Sequence, residues 1–99
     1  MNAQVQQMTN NLDVLLETMS ILKAALTKQD GDKAHEAISV MLLQGIQLFG
    51  EDSVAMKQFF PVMDVIQRRI DGLDLAGALR QSELFETQIN EIKALIRQG

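Results

Sequence analysis

The stretch EDSVAMKQFFPVMDVIQRRIDG, residues 51–72, decides the fold because it is the irregular member of an otherwise regular helical pattern. It contains two of the four phenylalanines, two of the six methionines, the only proline and the only adjacent arginines. Gly50 and Gly72 are predicted to end helices, and Asp52 or Ser53 to begin one. An apolar stripe at helical spacing predicts a third helix between them; it comprises Val54, Phe59, Val62, Met63, Ile66 and Ile70.

Pro61 lies within this stripe. A proline inside a helix removes one hydrogen bond and clashes with the carbonyl four residues back, at a cost of about 3 kcal/mol. Either one helix is kinked at Pro61, or residues 53–60 form a separate turn and Pro61 lies in the first turn of the main helix. We expect a third helix that is kinked or split at Pro61, with Phe59 and Phe60 at the bend.

Two further helices are predicted before this stretch. Apolar residues spaced alternately by three and four form a heptad seam that predicts the first helix: Val5, Met8, Leu12, Leu15, Met19, Leu22 and Leu26. Asp30-Gly31-Asp32 predicts a break, with Gly31 in the left-handed conformation and Asp32 as the next cap. The second helix then runs from Lys33 to about Phe49, and Gly45 inside it favours close approach of a neighbour.

A second heptad seam follows the irregular stretch. Asp74 is predicted to cap a fourth helix that ends near Gln98, with this seam: Leu75, Ala78, Ser82, Phe85, Ile89, Ile92 and Ile96. Short connections make consecutive helices antiparallel. The sequence therefore predicts an all-α fold, an antiparallel up-down bundle of four helices that forms a single domain over residues 1–99.

Composition limits the classes of function. The net charge of −4 disfavours nonspecific binding to nucleic acid or to anionic lipid, because both need clustered basic side chains. The absence of cysteine excludes disulfides, thiolate zinc sites and thiol catalysis. No apolar run approaches the roughly 20 residues of a membrane span. The N-terminal residues lack the basic and apolar regions of a signal peptide, so the predicted location is the cytoplasm.

No arrangement of residues points to catalysis or to a cofactor. The only histidine, His35, precedes Glu36 but lacks the second histidine of a zinc-protease helix. Glu83 and Glu86 have the spacing of a di-iron motif without its histidine. The glycines form no phosphate-binding loop. We therefore expect a protein that is not an enzyme and binds neither metal nor cofactor.

Large flexible side chains concentrate in the middle of the chain: Met41, Phe49, Met56, Phe59, Phe60 and Met63. Such side chains recur in grooves that bind helical peptides. They can equally fill the core of a bundle that has few other large side chains. Because Phe59 and Phe60 are adjacent, at least one must lie off the main stripe, and an exposed phenylalanine there would form a patch for a partner.

Arg68 and Arg69 are the one basic focus. Adjacent side chains on a helix point about 100° apart, so the two arginines cannot form a single clamp. They either pair with acidic neighbours such as Asp64 and Asp71 or help to dock an acidic partner.

Two short motifs resemble bacterial flagellar export chaperones, small helical proteins that hold flagellin before secretion. The first is GDKAHEAI at residues 31–38, a Gly-Asp break followed by a helix. The second is VIQRRI at residues 65–70, which is similar to the end of the family's third helix, although that helix here lacks a tyrosine and contains Pro61. The resemblance implies a small acidic bundle that grips a helix of a secreted or regulatory partner.

Two functions follow from these patterns. The first is a non-catalytic chaperone or adaptor that holds a partner's helix in an apolar groove; its expected binding residues are Met41, Phe49, Met56, Phe59, Phe60, Met63, Arg68 and Arg69. The alternative is a self-associating structural bundle, a homodimer formed through the heptad seams of the first and last helices.

Overall fold

The computed structural model describes residues 3–98, which form four helices. They are α1 (Ala3–Thr27), α2 (Gly31–Phe49), α3 (Val54–Asp71) and α4 (Leu75–Gln98). α1 and α3 each pack against both α2 and α4. Short loops make consecutive helices antiparallel, so this part of the chain is the all-α up-down bundle that the sequence predicts.

The two heptad seams face inward and pack within one chain. Their central residues are buried: Leu12, Leu15, Met19, Leu22 and Leu26 of α1, and Ala78, Ser82, Phe85 and Ile89 of α4. Lys23 Nζ lies 2.8 Å from Glu86 Oε1, and Lys93 pairs with Asp13, so two ion pairs join α1 to α4 beside the seams. The central residues of both seams are used by this packing within the chain, whereas Met8, near the start of the first seam, is 37% exposed.

α3 is one continuous helix with Pro61 inside it. The alternative of a helix split at Pro61 is therefore wrong. Ser53 begins α3 by accepting a hydrogen bond from the N–H of Met56, at 3.1 Å, and the helix continues to Asp71. Pro61 lies on the exposed side, while the buried stripe on the other side passes through it without interruption; this stripe is Met56, Phe59, Met63, Ile66 and Ile70. Burial of the stripe offsets the loss of one hydrogen bond.

The turn between α1 and α2 differs from the prediction. Gly31 is the first residue of α2, and Gln29 is the left-handed residue, with φ of 59°. The N–H groups of Gln29 and Asp30 donate to carbonyls of the last turn of α1, which closes that helix before the glycine is reached. Asp30, rather than Asp32, then accepts from the N–H of Lys33, at 3.1 Å.

The other predicted helix ends hold. Gly50 follows α2 with φ of 93°, and Gly72 caps α3. Asp74 accepts a hydrogen bond from the N–H of Gly77, at 3.0 Å, as a cap of α4 does. Gly45 also behaves as predicted, because a Cβ added there would lie 2.7 Å from Met56 Sδ. α2 and α3 therefore approach closely where the side chain is missing.

Candidate partner-binding surface

The Met/Phe set predicted as a groove is mostly core. Met41, Met56, Phe59 and Met63 are all at most 2% exposed. The Phe59 ring meets those of Phe49 and Phe85 edge-on, with centroids 5.9 and 5.4 Å apart. These rings join three helices across the bundle, so the set does not form an open groove. The four buried side chains have almost no accessible surface with which to touch a partner in this fold.

Phe60 is the member of the set that reaches solvent. Its residue is 48% exposed, whereas the adjacent Phe59 is 1% exposed. One step along a helix rotates a side chain by about 100°, which moves Phe60 from the core stripe to the outer side of the α2–α3 interface. Phe49 lies between these extremes and packs against the core while half-buried.

Two depressions between α2 and α3 flank Phe60 along the helix axis. The one towards the end of α3 is lined by Ile38, Leu42, Phe60, Met63, Asp64 and Gln67. The one towards its beginning is lined by Ile46, Glu51, Met56, Lys57, Phe60 and Pro61. Each depression thus has one of the predicted methionines at its edge or floor.

Apolar side chains of α2 extend this region. Leu42 and Ile46 are half-buried against the core, and Leu43, one step further around α2, is 59% exposed. Leu43 lines neither depression, so we call the region formed by Leu42, Ile46 and Phe60 the α2–α3 surface.

The two predicted arginines lie on different sides of α3 and form separate ion pairs. Arg68 Nε lies 3.0 Å from Asp64 Oδ2, beside the α2–α3 surface. Arg69 Nη1 lies 2.9 Å from Asp74 Oδ2, at the start of α4. The Gly77 N–H and then the Arg69 side chain lower the pKa of Asp74, because both stabilise its ionised carboxylate. The arginines therefore pair with acidic neighbours and do not form a common clamp.

Other exposed apolar residues were not among those predicted to bind a partner. Ile21 and Val40 line one opening between α1 and α2. Leu84 and Leu95 lie on α4 and are 64% and 68% exposed. The sequence pattern could have identified them, because they do not belong to the buried apolar stripes of their helices. A large apolar residue outside that stripe on a surface helix must face a lateral groove or solvent.

The residues considered for chemistry are surface groups. His35 Nδ1 lies 3.2 Å from Asp71 Oδ1, and both side chains are about half exposed. Among residues 3–98, no cluster of three or more histidine, aspartate and glutamate side chains could hold a metal ion. Within the same residues, no helix is both long and apolar enough to cross a membrane.

No protein-family model, curated protein or solved structure matches the chain. The resemblance to flagellar export chaperones stays a hypothesis based on residues 31–38 and 65–70. The 3.2 Å contact between His35 Nδ1 and Asp71 Oδ1 shows that the start of α2 and the end of α3, which carry these motifs, lie side by side.

Proposed function

We propose that the protein is a non-catalytic adaptor or chaperone that holds one amphipathic helix of a partner protein on the α2–α3 surface. The observation that carries this proposal is the half-exposed Phe60 between two depressions, whose walls include Leu42 and Ile46 of α2. Exposed aromatic and aliphatic groups in one contiguous region mark sites where another protein covers them.

The shape of the region favours a helix as the bound element. Two antiparallel helices leave a shallow groove along their outer boundary, and a third helix packs into such a groove through side chains spaced by three or four residues. The depressions on the two sides of Phe60 would accept apolar side chains from different turns of that helix. One face of the partner would then straddle the Phe60 ring.

The methionines give this surface its adaptability. Met63 lines the first depression and Met56 the second, although both side chains are almost fully buried. Methionine has three rotatable bonds and a polarisable sulfur, so it can repack under different bound side chains. In this proposal the methionines support the surface from below, and Phe60 and the α2 side chains make the contact.

The electrostatic surroundings are mixed, which favours recognition by shape and apolar contact. Asp64 is paired with Arg68, whereas Glu51 and Lys57 form no ion pair among residues 3–98 and lie together at the second depression. The resemblance to export chaperones favours the same class of partner, a helical segment of a secreted or regulatory protein. The proposed site of action is the cytoplasm.

The test is retention of a helical ligand by wild-type protein and by two surface variants. A displayed library of amphipathic helical peptides is first selected against the wild type. Phe60→Ser and Leu42→Ala are each expected to weaken binding of the selected peptides about tenfold or more, because each removes an apolar contact from the complex. Circular dichroism checks that the variants stay helical.

Ile21→Ser is the matched control, because Ile21 is 53% exposed but lies on the α1–α2 side. It should bind the peptides as the wild type does. Selected peptides that bind wild-type protein and Phe60→Ser equally well would rule out the α2–α3 surface as the binding site. A selection that yields no helical binder would contradict the proposed function itself.

A further inference from the structure

α4 has a second seam on its outer side. Five exposed residues follow one another at spacings of four, three, four and three: Arg80, Leu84, Thr87, Glu91 and Ala94. This is the spacing of a heptad seam, here on a side of α4 that no other helix within residues 3–98 covers. Leu84 is 64% exposed, and Leu95, at the end of the same side, is 68% exposed.

The outer seam is distinct from the inner one that packs in the bundle. Leu84 follows the fully buried Ser82 by two residues, a rotation of about 200°. Leu84 and Leu95 are eleven positions apart in the sequence, about three full turns, so they lie on one side. Glu86, on the flank towards α1, is already occupied by Lys23.

The two charged members of the outer seam have no ion pair within residues 3–98. The positive charge of Arg80 interacts electrostatically with the carboxylate of Asp74. There it lowers the pKa of the carboxyl only as the last of several contributions, after the Gly77 N–H hydrogen bond and the interactions with Arg69. Glu91 appears in no salt bridge or side-chain hydrogen bond among the same residues. The seam therefore carries one positive charge near its start and one negative charge near its end, and neither is held in an ion pair within residues 3–98.

A second copy of the same helix complements this pattern when it runs antiparallel. In the heptad register, Arg80 then lies opposite Glu91 of the second copy, and Leu84 opposite its Thr87. The two-fold axis repeats both pairs, so two ion pairs flank two layers in which a leucine packs against a threonine. A parallel arrangement would place Arg80 against Arg80, which repels.

We propose that the outer seam of α4 is a self-association surface, through which two copies of the chain pair antiparallel, α4 against α4. We infer a second copy of the chain as the partner because Arg80 and Glu91 of one copy lie opposite Glu91 and Arg80 of the other when the two α4 helices are antiparallel. A contact along one pair of helices buries an area at the small end of the range for specific interfaces. The dimer is therefore weak, with a dissociation constant in the micromolar range or above.

Charge reversal tests the register. The dissociation constant of the dimer is measured by sedimentation over protein concentrations from about 10 μM to about 1 mM, where small interfaces dissociate. Arg80→Glu places glutamate against Glu91 in two layers and is expected to weaken the dimer about tenfold or more. Glu91→Arg should do the same. The double variant Arg80→Glu/Glu91→Arg restores both pairs and should return the constant to within about threefold of wild type.

Glu36→Arg is the matched control, because it makes the same change of charge as Glu91→Arg at an exposed position on α2. It should leave the dissociation constant unchanged. A wild-type protein that stays monomeric over the whole range overturns the proposal. So does a dimer that tolerates Arg80→Glu, or a double variant that fails to recover, since either result places the contact elsewhere.

Discussion

Leu73 combines two unfavourable features in a single side chain. It is 82% exposed, and its φ of 64° lies in the left-handed region. For a residue with a Cβ this conformation costs about 1–2 kcal/mol, because the Cβ crowds the carbonyl oxygen. The conformation is imposed by the turn: the N–H of Leu73 donates to the carbonyl of Ile70, and the N–H of Asp74 to that of Arg69.

Leu73→Gly is expected to raise the free energy of unfolding by about 1 kcal/mol, because glycine adopts the left-handed conformation without crowding. Urea denaturation followed by circular dichroism measures the change. Leu73→Ala is the control, since alanine keeps the Cβ and the strain and should gain little. Equal stabilisation by both substitutions would show that exposure of the leucine, and not the backbone, is the cost.

The turn between α1 and α2 shows that the position of a glycine does not identify the left-handed residue of a turn. Gly31 was predicted to be left-handed, but Gln29 takes that conformation and Gly31 enters the next helix. Glycine fits helical and left-handed conformations alike, so its presence marks a break without fixing which residue turns. The hydrogen bonds that close α1 decide this, and they depend on where the buried stripe ends at Leu26.

At the scale of the element, the hydrophobic spacing predicts the helices better than the local breaker residue does. The seams of α1 and α4 and the stripe of α3 each predict a helix that the structure contains. Pro61 misleads because its effect on one hydrogen bond is local, whereas the buried stripe spans the whole of α3. The spacing of apolar residues does not show which side of α3 packs against α2. The position of Phe60 beside the two depressions between α2 and α3 could therefore not be predicted from the sequence.

Pro61→Ala is expected to stabilise α3. The substitution restores an N–H that can donate to the carbonyl of Lys57, and it removes the ring from the helix interior. Proline also reduces the conformational entropy of the unfolded chain, and loss of this effect lowers the free energy of unfolding by about 0.4–1 kcal/mol. We therefore expect a net increase in the free energy of unfolding of about 1–2 kcal/mol. The gain is read from the midpoint of urea denaturation.

The exposed neighbour Gln58 provides the control, and Gln58→Ala should change the free energy of unfolding by less than about 0.5 kcal/mol. A loss of stability in Pro61→Ala would mean that the proline makes a favourable contact in the folded chain. Because Pro61 also lines the second depression beside Phe60, the same variant shows whether peptide binding depends on the shape of α3 there.

For the whole molecule, composition left open whether the methionines and phenylalanines form a core or a groove. The structure places most of them in the core, where they pack with leucine, isoleucine and alanine side chains of all four helices. Among residues 3–98, Phe60, one step off the stripe, is the most exposed of them at 48%, and Met8 follows at 37%. Membership of the core follows from spacing, whereas the form of the outer surface depends on how the helices are arranged around it.

Phe59 and Phe60 are therefore a matched pair for testing how the bundle unfolds. Phe59 touches Phe49 and Phe85, so its ring joins α2, α3 and α4, and Phe59→Ala should cost about 3–5 kcal/mol. Phe60→Ala should cost about 1 kcal/mol or less, because the side chain is already half exposed. Chemical denaturation of both variants measures these values.

Hydrogen exchange then shows how far the loss extends. Because all four helices share one core, Phe59→Ala should reduce the protection of amides in the middle of α1 as much as in α3, although Phe59 lies on α3. Phe60→Ala should leave both unchanged to within about 1 kcal/mol. Reduced protection confined to α3 would mean that the helices open separately. A large loss of amide protection in Phe60→Ala would make that ring part of the core and would contradict its assignment to the α2–α3 surface.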